Sequence, residues 1–395
     1  MASQPASPPV TSILPPIEFR ELQGNAALAA HCARWRQGTA VALDTEFMRV
    51  STFYPQVGLI QVADGQGIVL IDPLSISDWQ PLRELLVDPG VTKILHSCSE
   101  DLLVFHTFLK VLPEPLFDTQ IAAALLGAAQ SLSYQNLVRQ HMDIDLPKAE
   151  TRSDWLQRPL TPEQLEYAAL DVEFLPAIWR RQQAELASRG RLAWLAEDCE
   201  RLRQTYRDEI EGRFGDYYLN FKSGWQLRPR SLLALKWLAT WREERARKRD
   251  RPRSWILKDA ALFSLAQTLV QNRAELAATP EVSENFVRHE GEAVLQLLRQ
   301  AATADEAECP PRQPAPLSPA QKTTLKRLQD AVETRAAELG IPAEILGRKR
   351  VLVPLLQNAA ALAPGETLAP EQIPEELRGW RAHEILPRLR EVLAS

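Results

Sequence analysis

Two carboxylates lie two residues apart on an otherwise apolar segment, a spacing that suits metal chemistry. Asp44 and Glu46 interrupt the run VALDTEF at residues 41–47. Alternate side chains of a β-strand share a face, so both carboxylates would point the same way. Two like charges on a buried strand repel one another and are poorly solvated, and a divalent cation would relieve both problems. A strand end that emerges into solvent would also accommodate the pair.

Three residues farther along the chain could join such a site. Asp101 falls just inside a predicted helix, where exposed N–H groups favour an acid in any case. Tyr167 and Asp171 are four residues apart on a helix predicted over residues 163–175, so they share one face. Tyrosine on a helix is more often a packing residue, and each of these features carries little weight alone.

The elements that must hold these residues alternate between strand-like and helix-like segments from about residue 18 to residue 185, which indicates an α/β domain. The pattern predicts helices at residues 79–87 and 100–108, the latter with Ser99 as N-cap, and a helix opened by Thr161 and Pro162. Asp118 is expected to be a helix N-cap and Gln61 to be a hairpin pair. Strands are predicted at residues 40–47, 58–63, 68–71 and 92–95, with a hairpin turn at residues 64–67.

Beyond about residue 190 the pattern is helical, with a weak internal repeat at an offset of 90 residues. Leu235, Leu238, Arg245 and Ala246 recur as leucine, leucine, arginine and alanine at positions 325, 328, 335 and 336. This register predicts two copies of a small helical module. The proline-rich stretch at residues 309–319 is typical of an extended linker.

The order of these motifs resembles the DEDD superfamily of 3′–5′ exonucleases, in the subgroup whose last motif carries tyrosine. The resemblance rests on LDTEF at residues 43–47, SCSEDL at 97–102 and YAALDV at 167–172. The segment PKAETRSDW at residues 147–155 resembles the ribonuclease D branch. The helical modules, the first around WREER at 241–245 and DRPR at 250–253, are similar to HRDC domains.

This resemblance implies an α/β ribonuclease H-like exonuclease domain, with a mixed sheet flanked by helices, followed by two small all-α HRDC-like domains. The expected boundaries are a flexible tail at residues 1–17, the exonuclease domain at 18–190, a helical connector at 191–225, the first HRDC-like domain at 226–302, a proline-rich linker at 303–319 and a second, diverged HRDC-like domain at 320–395.

It also implies a two-metal site of Mg²⁺ or Mn²⁺. Asp44 would bridge two ions, Glu46 and Asp171 would complete the site that binds the attacking water, and Asp101 would hold the second ion through water. Tyr167 would orient the attacking water. Independently of the family, two cations suit phosphodiester hydrolysis, and hard oxygen ligands select Mg²⁺ or Mn²⁺ over zinc.

Charge is unevenly distributed along this 395-residue chain of net charge −5. Residues 228–253 hold ten basic side chains against three acids. Such a block is either a solvated helix face or a phosphate-binding surface. Trp237, Trp241 and Trp255 within or beside it are expected to be core residues. The candidate nucleic-acid contacts are Lys148, Arg152, Arg242, Arg245, Lys248, Arg249, Arg251 and Arg253.

These features predict a metal-dependent 3′–5′ exoribonuclease that trims the 3′ ends of structured RNA precursors, with tRNA implied by the resemblance alone. A DNA-repair exonuclease would use the same five residues, and a non-catalytic RNA-binding adaptor is a third alternative. Four scattered cysteines argue against a zinc site or a disulfide framework. No segment reads as a secretory signal or a membrane span, so we expect a cytoplasmic protein without an obligate protein partner.

Overall fold

The structure is a computed structural model and describes residues 16–147, 153–363 and 366–394. Its internal contacts divide the chain into two compact units. The first unit combines the chain up to Met48 with Gln56–Arg203 and Thr323–Ser395. The second consists of Arg49–Pro55 and Gln204–Lys322. The short segment after the Asp44–Glu46 motif therefore belongs to a different unit from the motif itself.

A six-stranded mixed sheet forms the centre of the first unit as far as the structure describes it. The order is β1-β4-β3-β2-β5-β6, with β3 antiparallel to β2 and β4, and β2, β5 and β6 parallel to one another. β2 lies inside the sheet, which accounts for its apolar sequence. The strands are β1 (Phe19–Leu22), β2 (Ala40–Met48), β3 (Gln56–Ala63), β4 (Ile68–Ile71), β5 (Thr92–Leu95) and β6 (Leu116–Asp118).

The predicted hairpin of β3 and β4 is confirmed, whereas the short strands β1 and β6 had no sequence prediction. Thr161 caps its helix as predicted, and its side chain and that of Gln164 form a capping box. Ser99 is wrong as an N-cap, because the helix already includes it. The first helices are α1 (Asn25–Trp35), α2 (Gln80–Leu86), α3 (Ser99–Leu109), α4 (Thr119–Leu125), α5 (Tyr134–Met142), α6 (Pro162–Glu173), α7 (Leu175–Ser188) and α8 (Leu192–Ile210).

The second unit is helical, and its helices pack around an apolar core. This core includes Leu235, Leu262 and Leu295, all fully buried. Trp241 is buried and Trp237 packs against the same core, as predicted. Its helices are α9 (Pro229–Arg249), α10 (Arg253–Ile256), α11 (Asp259–Thr268), α12 (Arg273–Ala278), α13 (Glu284–His289) and α14 (Gly291–Thr303).

The C-terminal helices reproduce the beginning of the second unit at the predicted offset of 90 residues. Helix α9 begins at Pro229, and the first C-terminal helix, α15, begins at Pro319. Both helices have 21 residues. Both are followed by a left-handed residue, Asp250 and Gly340, and then by a four-residue helix. The C-terminal helices are α15 (Pro319–Leu339), α16 (Ala343–Leu346), α17 (Lys349–Ala360), α18 (Trp380–Glu384) and α19 (Leu386–Ala394).

A search of the described helices found none with the length and apolar character needed to cross a membrane.

Candidate active site

Strand β2 carries the first two acidic residues on one face. Asp44 lies opposite Gln61 of β3 and Glu46 lies opposite Leu59. The register then shifts between Glu46 and Phe47. A local shift of this kind bends a strand and re-aims its side chains, and it is common beside active sites. The Gln61 side chain is fully buried and finds no hydrogen-bond partner among the described residues, although its backbone pairs as the hairpin predicts.

Helix α6 brings a third carboxylate to this face. One oxygen from each of Asp44, Glu46 and Asp171 can be chosen so that all three lie within 4.8 Å of one another. The capping box at the start of α6 fixes the helix, and the spacing from Tyr167 to Asp171 places both side chains on one helical face. The structure therefore unites three of the predicted carboxylates, which lie 127 positions apart at most in the sequence.

Asp101 contacts β2 at Thr45, between Asp44 and Glu46, and lies outside the group of three carboxylates whose oxygens converge. Its carboxylate accepts a hydrogen bond of 2.5 Å from the Thr45 hydroxyl, and both residues are buried. Asp118 holds the segment before α3, because its carboxylate accepts a hydrogen bond from the backbone N–H of Cys98 at 2.9 Å. The same side chain caps α4, as predicted. Sequence reasoning missed Thr45, although its position between the two acids was a signal.

Burial and mutual repulsion make this cluster costly to ionise. Burial and then the charges of Asp101, Asp171 and Glu46 raise the pKa of Asp44. Burial, followed by the charges of Asp171 and Asp101, raises the pKa of Glu46 to about 8. Burial raises the pKa of Asp171 to about 7 and that of Asp101 to about 6, in spite of hydrogen bonds from Tyr167 and Thr45 that oppose the shift. A bound cation would stabilise the ionised forms of these carboxyl groups and would lower their pKa values again.

Tyr167 lies beside the carboxylates and keeps its proton. Burial, followed by the charges of Asp171 and Glu46, raises the pKa of Tyr167 well above its ordinary value. The Trp155 ring lies 6.2 Å from the Tyr167 ring, centroid to centroid. The phenol can therefore donate and accept hydrogen bonds at neutral pH, but it is a poor base.

Tyr134, which sequence reasoning missed, holds the end of α6. Its hydroxyl donates to the Leu170 carbonyl at 3.0 Å and accepts from the Phe174 N–H at 3.3 Å. These two bonds bracket Asp171. Tyr134 comes from α5, far from α6 in the sequence, so no local motif signals this contact.

The donor set fits a hard divalent cation. Every group in the cluster offers carboxylate oxygen, which Mg²⁺ and Mn²⁺ prefer, and the three closest carboxylates can present oxygens to one point. A cation there would also offset the repulsion that raises their pKa values.

The residues predicted to contact nucleic acid do not all lie on the surface. Arg242 is wrong as a surface contact, because it is only 2% exposed and its Nη1 donates to the Leu257 carbonyl and to Asp259 at 2.8 and 2.6 Å. Arg253 donates to the buried Glu243 at 2.5 and 2.7 Å. Lys148 and Arg152 lie outside the described residues.

The remaining predicted contacts keep exposed surface and stay a prediction. Arg245 and Arg249 both pair with the buried Glu290. Arg251 is exposed and donates to the Ser51 carbonyl at 3.1 Å, and Lys248 is exposed. Much of the positive charge counted in the sequence is therefore balanced inside the second unit.

A mixed sheet flanked by helices, with acids of its inner strand β2 and of helix α6 brought together, is the arrangement expected of a DEDD-type 3′–5′ exonuclease. The family model described as 3′-5′ exonuclease matches residues 19–187, and the HRDC domain model matches residues 231–298.

The whole chain is similar to ribonuclease D proteins. It is 44% identical to ribonuclease D of Pseudomonas paraeruginosa over 96% of this chain and 98% of that protein. The crystal structure of Escherichia coli RNase D, an exoribonuclease involved in structured RNA processing, matches with a TM-score of 0.85 and 35% identity over 95% of this chain and 99% of that one. The chain therefore belongs to the ribonuclease D family. Its enzyme class is that of a 3′–5′ exoribonuclease, and membership implies dependence on a divalent metal.

Proposed function

We propose that this protein trims the 3′ ends of structured RNA precursors, chiefly tRNA, and releases 5′-mononucleotides from a 3′-hydroxyl end. The observation that carries the proposal is the convergence of Asp44, Glu46 and Asp171 within 4.8 Å. RNA is proposed as the substrate because the similar proteins are ribonucleases, and tRNA is proposed because of the family resemblance.

Two Mg²⁺ or Mn²⁺ ions would occupy the site, with Asp44 facing both. Glu46 and Asp171 would complete one ion's ligands, and Asp101 would hold the other through water. Bound there, two cations supply hydroxide at neutral pH and neutralise charge on the attacking and leaving oxygens. The suppressed ionisation of the carboxylates supports this assignment, because the bound charge would restore their ionised forms.

Tyr167 would orient the attacking water. Its raised pKa keeps the hydroxyl protonated at neutral pH, so it serves through a hydrogen bond rather than by removing a proton. Trp155 beside it limits the orientations of the phenol ring.

The test is a time course with 5′-labelled, 3′-extended tRNA and a matched single-stranded DNA. Each substrate is incubated with Mg²⁺, with EDTA and with the Asp44→Asn variant. We expect stepwise shortening of the RNA from its 3′ end, abolished by EDTA and by the substitution, and slower on DNA. Preference for the DNA would contradict the proposed substrate. Binding of RNA without shortening would contradict the proposed reaction.

A further inference from the structure

Trp255 is exposed where a buried core residue was expected. It lies in the four-residue helix α10, immediately after Pro252, and 61% of it is accessible to solvent. The neighbouring Ile256 points inward and is buried. The helix therefore anchors itself with Ile256 and leaves a large flat aromatic ring on the surface of the second unit.

A cation and a partly polar recess lie beside this ring. The guanidinium carbon of Arg251 lies 5.8 Å from the ring centroid, and Lys248 and Arg249 precede it on the exposed end of α9. A recess of about 340 Å³ lies against the ring. Its polar lining includes Arg249, Asn285 and His289.

Two acids that lie close to these cations are already engaged. The Asp250 carboxylate accepts from the backbone N–H groups of Phe53 and Tyr54, at 2.9 Å each. Glu290 is buried between Arg245 and Arg249. The exposed Lys248 and Arg251 outnumber the exposed Glu244, which lies four residues before Lys248 on α9. The surface around Trp255 therefore keeps a positive charge that complements an anionic chain.

We propose that Trp255 stacks on an unpaired base of the RNA substrate while Lys248 and Arg251 contact the adjoining phosphates. An aromatic platform with basic neighbours is how proteins bind single-stranded nucleic acid, since every base offers a π-face and every linkage a negative charge. The proposal rests on the proposed function for its choice of RNA as partner. Under this proposal, Trp255 of the first HRDC module binds unpaired nucleotides of the substrate.

The test measures affinity in the full chain with Asp44→Asn and EDTA, so that no RNA is consumed. Fluorescence anisotropy gives the Kd for a labelled hairpin with an unpaired 3′ tail and for the same hairpin without it. Trp255→Ala should weaken binding of the tailed RNA about tenfold or more, as loss of one stacked base does elsewhere. Trp255→Phe should retain most of the affinity.

Trp225→Ala is the matched control, because this tryptophan of the same unit is also exposed, at 38%. It should leave both affinities unchanged. Salt dependence separates stacking from charge: Arg251→Gln should reduce the slope of log K against log salt by about one, whereas Trp255→Ala should not alter it. Thermal unfolding of each variant verifies that it is folded.

Unchanged affinity of folded Trp255→Ala for the tailed RNA would overturn the proposal and leave the ring as a contact for a protein. An equal loss for tailed and untailed RNA would also overturn it, since stacking on an unpaired base requires the tail. These outcomes concern binding alone. Failure of the proposed function would be seen separately, as lack of RNA shortening by the unsubstituted enzyme with Mg²⁺.

Discussion

The Thr45 hydroxyl links strand β2 to Asp101 beside the acidic cluster. It donates to Asp101 at 2.5 Å, while Asp44 and Glu46 on either side of it point toward Asp171. This bond restrains the Asp101 carboxylate, and it opposes the rise in pKa that burial causes there. We therefore expect Thr45 to position Asp101, the carboxylate proposed to hold the second ion.

Thr45→Val should lower activity about 10- to 100-fold, the usual effect of removing a group that orients a metal ligand. Valine retains the shape of threonine but leaves the buried Asp101 carboxylate without this donor, so the variant should also lose about 1–3 kcal/mol of stability. Thr45→Ser keeps the hydroxyl and serves as the matched control. Single-turnover cleavage of RNA over a range of Mg²⁺ concentrations measures both activity and apparent metal affinity. Equal activities of the valine and serine variants would contradict this role.

The raised pKa values also predict how the metal-free protein responds to pH. Glu46 titrates at about 8, Asp171 at about 7 and Asp101 at about 6, all above the ordinary range for carboxyl groups. Between these values and the ordinary ones, the folded protein binds more protons than the unfolded chain. The contribution of this cluster to the free energy of unfolding therefore falls as pH rises from about 5 to 8, against the opposite contribution of histidines such as His96 and His106, whose pKa values burial lowers.

Thermal unfolding in EDTA should accordingly show a decreasing Tm across this pH range. Adding Mg²⁺ should raise the Tm most at the alkaline end, where the carboxylates are ionised and bind cations best. Asp44→Asn should flatten the slope in EDTA, whereas Glu166→Gln, a change on the exposed face of α6, should preserve it. A Tm in EDTA that rises from pH 5 to 8 would refute this account of the cluster.

Among the elements, β3 must lie very close to the segment that carries Trp155. A Cβ on Gly58 would approach the Trp155 carbonyl oxygen to 2.6 Å and its Cβ to 2.7 Å, so only glycine fits there. Gly58 falls at the register shift beside Glu46. Since Trp155 in turn lies beside Tyr167, this close approach links the strand to the reactive face of α6.

Gly58→Ala should destabilise the protein by about 1–3 kcal/mol, the usual cost of overpacking a well-packed site. It should also reduce activity by displacing Trp155 from Tyr167. Gly67→Ala, in the hairpin turn between β3 and β4, is the matched control, because its added methyl would meet nothing within 4 Å. Urea unfolding and cleavage rates measure both effects. If the two variants behave alike, close packing is not what requires glycine at position 58.

At the scale of the molecule, the first unit holds its C-terminal helices by a buried polar junction. Arg381 donates to both oxygens of Asp198 on α8, at 2.5 and 2.8 Å, and the two residues are only 8% and 9% exposed. The Trp380 ring stacks on Trp194 at 4.2 Å between centroids and also donates to Asp198. These contacts join the C-terminal helices to the helix that follows the sheet domain.

Arg381→Leu should cost up to about 3–5 kcal/mol, because it removes both short hydrogen bonds to the buried Asp198 charge and leaves it the Arg201 guanidinium at 3.3 Å. Limited proteolysis should then release the C-terminal helices sooner. Arg388→Leu breaks an exposed pair with Glu338 and should cost at most about 1 kcal/mol. Tm values and the rate of proteolysis compare the two variants. Equal resistance of both to protease would show that the buried junction does not hold these helices.

Local patterns in the sequence determined a large part of this protein. The strand at residues 40–47, the hairpin after it, the cap at Thr161 and the 90-residue repeat all depend on short-range periodicity, and the structure shows each of them. The predicted fold class and family are also confirmed. Asp44, Glu46 and Asp171 could be selected because spacing within a strand or helix fixes which side chains share a face.

Tertiary structure decided which charged and aromatic groups are available. The sequence shows that Arg242 and Trp255 occur in a basic, aromatic stretch, but only packing buries the arginine against Asp259 and exposes the tryptophan. Likewise, only the approach of α5 and α3 brings Tyr134 to α6 and Asp101 to Thr45. The physical reason is that these contacts join residues far apart in the chain, so their free energy depends on the whole fold and not on any local pattern.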